Sequence, residues 1–434
     1  MRLDGTMRMT IEGIGKVSSA TVPLDGITVV AGENNTGKST IGKALFAMAD
    51  GCYDLEQRMI ERIRRHIVFA VNSQLPLTGD ESLGSRRKTT ARVASLVEDY
   101  LNHGDGDADG LMQTLRDNDI PLPKPDRVSS IAEQEMSRTL PEFAASQIRS
   151  RLNELFHEDP VPRISGHGRT CSLTLTGDQP LADYQMDGGR ISFSGESMGS
   201  MNTVLIDDPH LIDDIQDDDP KRWGVAFRSR WNNSSVLNAI TGEALRFADD
   251  DMEPDSAAAV IVQDIRDIIH LRLEGDDRNG NILDDTLCLD PDVRLREANT
   301  SMGAKSFLTV SQLLCHGVIH RDTILILDEP EIHLHPQWQI DYARLLARLV
   351  HDLDVRLVVT THSPYFLDAL HVYARAYGMA ERYQVMLPQP GDNGAVEFHE
   401  SSESEQAAYL ARMAEPFRQL AQIKDQMAAG LDVL

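Results

Sequence analysis

Ile27-Thr28-Val29-Val30-Ala31-Gly32-Glu33-Asn34-Asn35-Thr36-Gly37-Lys38-Ser39-Thr40 is the stretch that decides the fold. Its first five residues form an apolar, β-branched run that reads as a buried strand. Residues Gly32 to Ser39 satisfy G-x-x-x-x-G-K-[ST]. Beyond them Ile41, Ala44, Leu45 and Met48 recur at helical spacing, which predicts a helix from about Gly37 to Ala49. A glycine-containing loop between a buried strand and a helix start is the context a phosphate-binding loop requires. There the glycines let backbone N–H groups of Asn34, Asn35, Thr36 and Gly37 turn inward, and the helix N-terminus adds positive potential. Lys38 reaches the β/γ-phosphates, the Ser39 hydroxyl ligates Mg²⁺, and Thr40 continues the cradle.

Such a loop needs a distant acidic strand as its second half. Thr323-Ile324-Leu325-Ile326-Leu327-Asp328-Glu329 supplies an apolar strand ending in two acids, with Asp328 expected at the magnesium and Glu329 as general base for the attacking water. Upstream, Asn299-Thr300-Ser301-Met302-Gly303 opens a helix whose Phe307, Val310, Leu313 and Leu314 face inward and whose stop is Gly317. Ser301 reads either as an ordinary helix cap or as a free hydroxyl beside a close-approach Gly303, which a γ-phosphate presented by another subunit would need. Past Glu329 run Pro330-Glu331-Ile332-His333-Leu334-His335-Pro336 and, later, Val358-Val359-Thr360-Thr361-His362-Ser363-Pro364. His362, at the end of a buried strand, is expected to bond the γ-phosphate or the water. His333 and His335 without a third nearby ligand are weak evidence for a metal.

Around these motifs the chain alternates. Two short antiparallel strands are expected at 7–12 and 20–22. A mostly helical, charged stretch follows to about Pro160, then period-two strands between Cys171 and Ile206, then a helix from Ala257 to Leu273. After that come helix 303–316, strand 323–327, helix 336–349, strand 355–360 and helix 364–370. Alternating strands and helices predict an α/β class with a parallel sheet core and antiparallel N-terminal strands. The expected organisation is a discontinuous core of residues 1–49 and 165–434 with a helical subdomain, 50–164, inserted.

The ordered set of phosphate loop, Ser301-x-Gly303, Asp328-Glu329 with its Glu331–Pro336 extension, and Thr361-His362-Ser363 resembles ABC-type ATPases. Within these it is most similar to the AAA-labelled prokaryotic branch with the OLD family and the ATPase subunits of antiphage systems such as Septu and retron cassettes. The resemblance covers residues 1–49 and about 295–370. It implies an ABC-type P-loop ATPase head with ATP and Mg²⁺ sandwiched between two subunits. Gly32–Thr40, Asp328, Glu329 and His362 would lie on one side, Ser301 and Gly303 on the other. A homodimer or higher even-numbered oligomer and a separate effector protein follow from the same resemblance. Met302 stands where a transporter signature carries glycine, and Gln74 is a candidate for the glutamine loop. The tail after His362 lacks the clustered acids of the Toprim nuclease of OLD proteins, so no intrinsic nuclease is expected.

The formal charge of −26 over 434 residues disfavours general attraction to nucleic acid, which needs Lys and Arg to displace phosphate counterions. The acids cluster at Asp207-Asp208, Asp213-Asp214, Asp217–Asp219 and Asp249–Asp251, and the 207–220 segment is expected to be an exposed loop. Arg58, Arg62, Arg64, Arg65 and Arg86-Arg87-Lys88 are the basic spots of the helical stretch, read as a solvated face in preference to a DNA contact. A DNA-repair or DNA-end-binding clamp is therefore the alternative reading, and a transport ATPase a weaker third. No segment approaches the roughly 18 apolar residues needed to cross a bilayer, and no signal peptide core follows Met1, so no membrane partner and a cytoplasmic location are expected. Cys52, Cys171, Cys288 and Cys315 are far apart, without C-x-x-C pairing, and read as ordinary thiols.

Overall fold

The computed structural model describes residues 7–74, 83–103, 107–120, 122–156, 170–195, 201–207, 256–269, 272–274, 286–290, 293–296, 301–315 and 317–428. The expected acidic loop beyond Asp207, the cluster at Asp249–Asp251, Asn299, Thr300, and the side chains of Arg86, Arg87 and Cys288 lie outside these residues. Strand β3 (Ile27–Ala31) is buried at every position. Ile27, Val29 and Ala31 enter one apolar layer and Val30 the other. A strand covered on both faces is what an uninterrupted apolar run predicts.

Around β3 the described residues build one sheet of 11 strands. On one side β3 pairs in parallel with β12 (Arg356–Thr361), β12 with β11 (Ile324–Asp328), and β11 with β7 (Thr203–Ile206). On the other it pairs in parallel with β13 (Tyr383–Pro390), whose antiparallel partner β14 (Val396–Glu400) lies beside β2 (Val17–Pro23). Strands β1 (Arg8–Ile14), β4 (Thr170–Thr176), β5 (Pro180–Asp187) and β6 (Arg190–Gly195) extend the sheet as an antiparallel meander. The mixed α/β sheet with a parallel core and antiparallel N-terminal strands is thus the one expected. A separate antiparallel ladder joins β8 (Arg272–Glu274), β9 (Thr286–Asp290) and β10 (Val293–Arg296).

Helix α1 (Lys38–Cys52) follows the phosphate loop and packs with the N-terminal strands. Helices α2 (Leu55–Asn72), α3 (Leu83–His103), α4 (Ala108–Asp117) and α5 (Pro125–Met136) gather Ile63, Ile67, Val97, Leu111 and Val128 into an apolar cluster of their own. Helix α6 (Leu140–Leu155) instead lies against α1 so closely that a Cβ on Gly51 would stand 2.4 Å from Ile148 Cγ1. Asp50, almost fully buried, is held there by Arg151 Nε at 2.7 Å and by Arg58 Nη2 at 3.6 Å.

The other face of the sheet carries α7 (Ala257–Ile268), α8 (Met302–Cys315), α9 (Pro336–Leu353) and α10 (Pro364–Ala376). The helix expected to run to Leu273 stops at Ile268, and Arg272–Glu274 is a strand. An apolar residue recurring at helical spacing hid the switch to alternation in Leu271-Arg272-Leu273-Glu274. Gly317, the expected stop of α8, takes φ 64° and lets Val318 N–H return to Leu313 O at 2.9 Å. Helices α11 (Glu403–Met413) and α12 (Glu415–Ala428) close the chain. Among the described residues no helix is long and apolar enough to cross a membrane.

Candidate functional site

The parallel strands β3, β12 and β11 end side by side, and each hands its next residues to one place. After β3, Asn35 (φ 66°) and Gly37 (φ 99°) turn the backbone into the left-handed region. Gly37 adopts this conformation without the Cβ clash that other residues meet. Lys38 opens α1, and its side chain is 3% exposed. Among the described residues the N–H groups of residues 34 to 37 donate to no protein acceptor, so the loop presents amides that fit an anion. The β1–β2 hairpin tip braces it, Lys16 Nζ donating to Asn35 O at 3.1 Å.

Lys38 Nζ donates to Glu33 O at 3.0 Å and lies 3.1 Å from Glu329 Oε1. The lysine expected on phosphate oxygens and the acid expected to activate water therefore form an ion pair with each other. Glu329 is held in the left-handed region, φ 47°, a conformation that costs a residue with a Cβ about 1–2 kcal/mol. Its N–H donates to Thr360 O at 3.1 Å and to Thr360 Oγ1 at 3.0 Å, and these bonds fix the kink. Thr360 Oγ1 in turn donates to Asp328 Oδ1 at 2.5 Å. One buried hydroxyl on the intervening strand thus sets both acids, a role sequence reasoning did not assign. Its only signal was a polar pair, Thr360-Thr361, following the apolar run Leu357-Val358-Val359.

His362 follows β12 with its side chain 41% exposed and Nδ1 3.3 Å from Glu329 Oε2, outside hydrogen-bonding geometry. Beneath it Glu331 is 2% exposed. Its Oε1 accepts from Thr361 Oγ1 and, at 3.1 Å, from His362 N–H, while Oε2 has no partner among the described residues. Burial pushes the Glu331 carboxyl above the usual carboxylate range.

Of the residues assigned to a second subunit, Ser301 accepts from Ala304 N–H at 3.4 Å, which is the helix-cap reading in this single chain. No hydrogen bond or ion pair among the described residues joins Ser301 or Gly303 to the phosphate loop. A Cβ on Gly303 would stand 3.0 Å from His333 O and from the Trp338 ring, so a larger residue here would press on the extension after Glu329. Ser301, Met302, Gly303, His333, His335, Gln337 and Trp338 line a surface hollow of ≈ 400 Å³.

The residues present fit a magnesium-bound triphosphate. The unpartnered loop amides would face an anion, and the Asp328 carboxyl is oriented by Thr360. Ser39 Oγ and Asp328 are the groups that would hold the cation. Among the described residues no group of three His, Cys, Asp or Glu able to hold a metal occurs, around His333 and His335 or elsewhere. Gln74 Oε1 accepts from Lys124 N–H at 2.8 Å within the helical stretch, and among the described residues no hydrogen bond or ion pair joins Gln74 to the phosphate loop. Arg62 is engaged by Glu135 at 3.0 Å, and Arg64 pairs with Glu61 and, at 3.8 Å, with Glu98. Burial pushes the Cys52 thiol up to about 12 and the Cys171 thiol to about 11, which leaves both unreactive.

Residues 239–367 match the AAA ATPase domain family. The match takes in Ser301, Asp328, Glu329 and His362 and leaves the phosphate loop outside it. No curated protein matches the chain. Among solved structures it is similar to an SMC head bound to the C-winged helix domain of ScpA, with 11% identity, TM-score 0.41, 93% of this chain and 99% of that chain covered. It is also similar to the SMC head domain from Thermotoga maritima, with 10% identity, TM-score 0.39, and 92% and 99% covered. An SMC head with an extended coiled coil bound to the C-terminal domain of ScpA, from Pyrococcus furiosus, gives 11% identity, TM-score 0.38, and 94% and 99% covered.

Proposed function

We propose that the chain binds ATP with Mg²⁺, hydrolyses it, and uses nucleotide-dependent pairing of two copies to regulate or scaffold a separate effector in bacterial antiphage defence. The observation that carries the hydrolytic reading is the convergence of Lys38, Asp328, Glu329 and His362 at the ends of three adjacent parallel strands, with Lys38 and Glu329 already 3.1 Å apart. The loop amides and Lys38 take the β- and γ-phosphates, and Ser39 and Asp328 would hold the cation, which would neutralise charge on the transferring phosphoryl group. Glu329, released from Lys38, takes the proton of the water that attacks the γ-phosphorus as ADP leaves. His362 donates a hydrogen bond at the γ-phosphate, and Ser301 and Gly303 approach from the second copy. The core of 1–49 and 165–434 carries this chemistry and 50–164 is an insertion. The separate apolar cluster of α2 to α5 supports that division, and the α1–α6 contact is its seam.

The effector and the defence role rest on the likeness of the E-P-E-I-H-L-H-P and T-T-H-S-P strings to the OLD, Septu and retron ATPases. Hydrolysis at the wild-type rate by Lys38→Ala or Glu329→Gln protein removes the assigned chemistry. Mass measurement of the Glu329→Gln protein tests the pairing: ATP should double the mass, or multiply it by a larger even number. The effector part is tested by purifying the chain with the product of its neighbouring reading frame and asking whether ATP changes that product's activity.

A further inference from the structure

The buried carboxyl of Glu331 has no place in the reaction as derived so far, yet it is the most enclosed acid near it. Two loops meet there. The extension after β11 runs through Glu331 to Leu334, and the elbow after β12 runs from Thr361 to Ser363. Glu331 Oε1 accepts from the Thr361 hydroxyl and from His362 N–H. Ser363 N–H donates to Thr361 Oγ1 at 3.0 Å, and Ser363 Oγ donates to Gln339 Oε1 at 2.7 Å. Gln339 Nε2 donates to Leu334 O at 3.1 Å, which returns the network to the first loop. His362 is the one member whose ring leaves the network toward solvent, and its Nδ1 stands 3.8 Å from Glu331 Oε1 and 3.3 Å from Glu329 Oε2.

A residue needed only to fill space at this point would be apolar, because an enclosed carboxyl with one oxygen unpartnered is expensive to bury. The carboxyl instead spends its bonded oxygen on the backbone that aims His362. We propose that Glu331 is a positioning residue of the hydrolytic site, holding the His362 imidazole against Glu329 and the γ-phosphate position. The inference rests on the hydrolytic reading given above. A neutral carboxyl, favoured by burial, resembles an amide, so glutamine keeps the accepting oxygen.

The test is a kinetic double-mutant cycle on the full chain with Mg-ATP. Glu331→Ala should lower kcat by about tenfold or more with KM within about threefold, as expected when a reacting group is misplaced and binding is not. Glu331→Gln should recover most of that loss. In a His362→Ala background, Glu331→Ala should lower kcat by less than about twofold, since the group it acts through is gone. Multiplicative effects in the cycle, or a His362→Ala protein with wild-type kcat, overturn the inference. So does a Glu331→Gln protein as slow as Glu331→Ala at equal melting temperature.

Loss of the hydrolytic reading shows differently, as a wild-type protein with no hydrolysis that Lys38→Ala removes. In that case histidine-labelled NMR decides. Glu331→Ala should shift the ring resonance of His362, identified by its absence in His362→Ala, and leave that of His320 in place. An unmoved His362 resonance refutes the positioning role.

Discussion

On the proposed function, the Lys38–Glu329 ion pair makes ATP compete with a side chain for the same ammonium group. At 3.1 Å the pair has a gross Coulomb attraction of about 5 kcal/mol at an effective dielectric constant of ~20. Much of that is recovered when the pair opens, because Glu329 is 20% exposed and regains water. A net effect of about 1–2 kcal/mol remains, or a factor of about 5–30 in binding. Glu329→Gln keeps the size of the side chain and an oxygen facing Lys38 but removes the charge, so it should tighten nucleotide binding by that factor. Isothermal titration calorimetry with a non-hydrolysable ATP analogue and with ADP separates two causes. Relief of repulsion between Glu329 and the γ-phosphate would tighten the analogue alone. Release of Lys38 tightens both. Equal ADP affinity in wild-type and Glu329→Gln proteins would refute the competition argument, whatever the analogue does.

Arg151→Ala should cost about 2–3 kcal/mol by urea denaturation, below the 3–5 of a buried pair with one partner deleted, because Arg58 stays beside Asp50; an unchanged midpoint would show that the α1–α6 seam is not held there. Glu331 gives a pH signature. Its folded carboxyl titrates above its unfolded value of about 4.3, so stability is unaffected below that value, falls as pH rises toward the folded pKa and is constant beyond. Glu331→Gln should therefore match wild type near pH 4 and exceed it by a margin that is complete once pH has risen past the folded pKa; a stability difference that does not grow with pH contradicts the assignment. Replacing Arg62, Arg64 and Arg65 together by Gln should leave retention of duplex DNA unchanged, since Glu135 and Glu61 already pair with two of them. ATP-dependent, salt-sensitive DNA binding lost in that triple variant would instead favour the clamp.

What the sequence disclosed and what it withheld divide by range. The β3–loop–α1 unit was legible because strand, turn and helix signals are contiguous, and the strand was read to the residue. Ile324–Asp328 and Arg356–Thr361 were within a residue of expectation for the same reason. The C-terminal hairpin β13–β14 was not anticipated. Its place between β2 and β3 depends on Val396 meeting Val17 and Tyr383 meeting Ile27, pairings that no local pattern encodes. Thr360 and Glu331 were visible only as letters of two motifs. A polar residue declares itself structural or functional once its burial is known, and burial here is created by β11 and β12 lying side by side.

That adjacency also explains why the acidic pair and the histidine come from different segments. A carboxylate beside a lysine is placed by charge alone, but in the proposed reaction Glu329 must also leave that lysine and face water without losing its position. Its backbone is therefore pinned to Thr360 on the neighbouring strand while its side chain stays free to exchange partners. The same strand carries His362 one residue past its end, so a shift of β12 relative to β11 would move Asp328, Glu329 and His362 together. If two copies pair over a nucleotide as proposed, closure of the second would act on all three through this strand pair. The contact to press would be the seat of Gly303 against His333 and Trp338, which lies on the extension that Glu331 ties to β12.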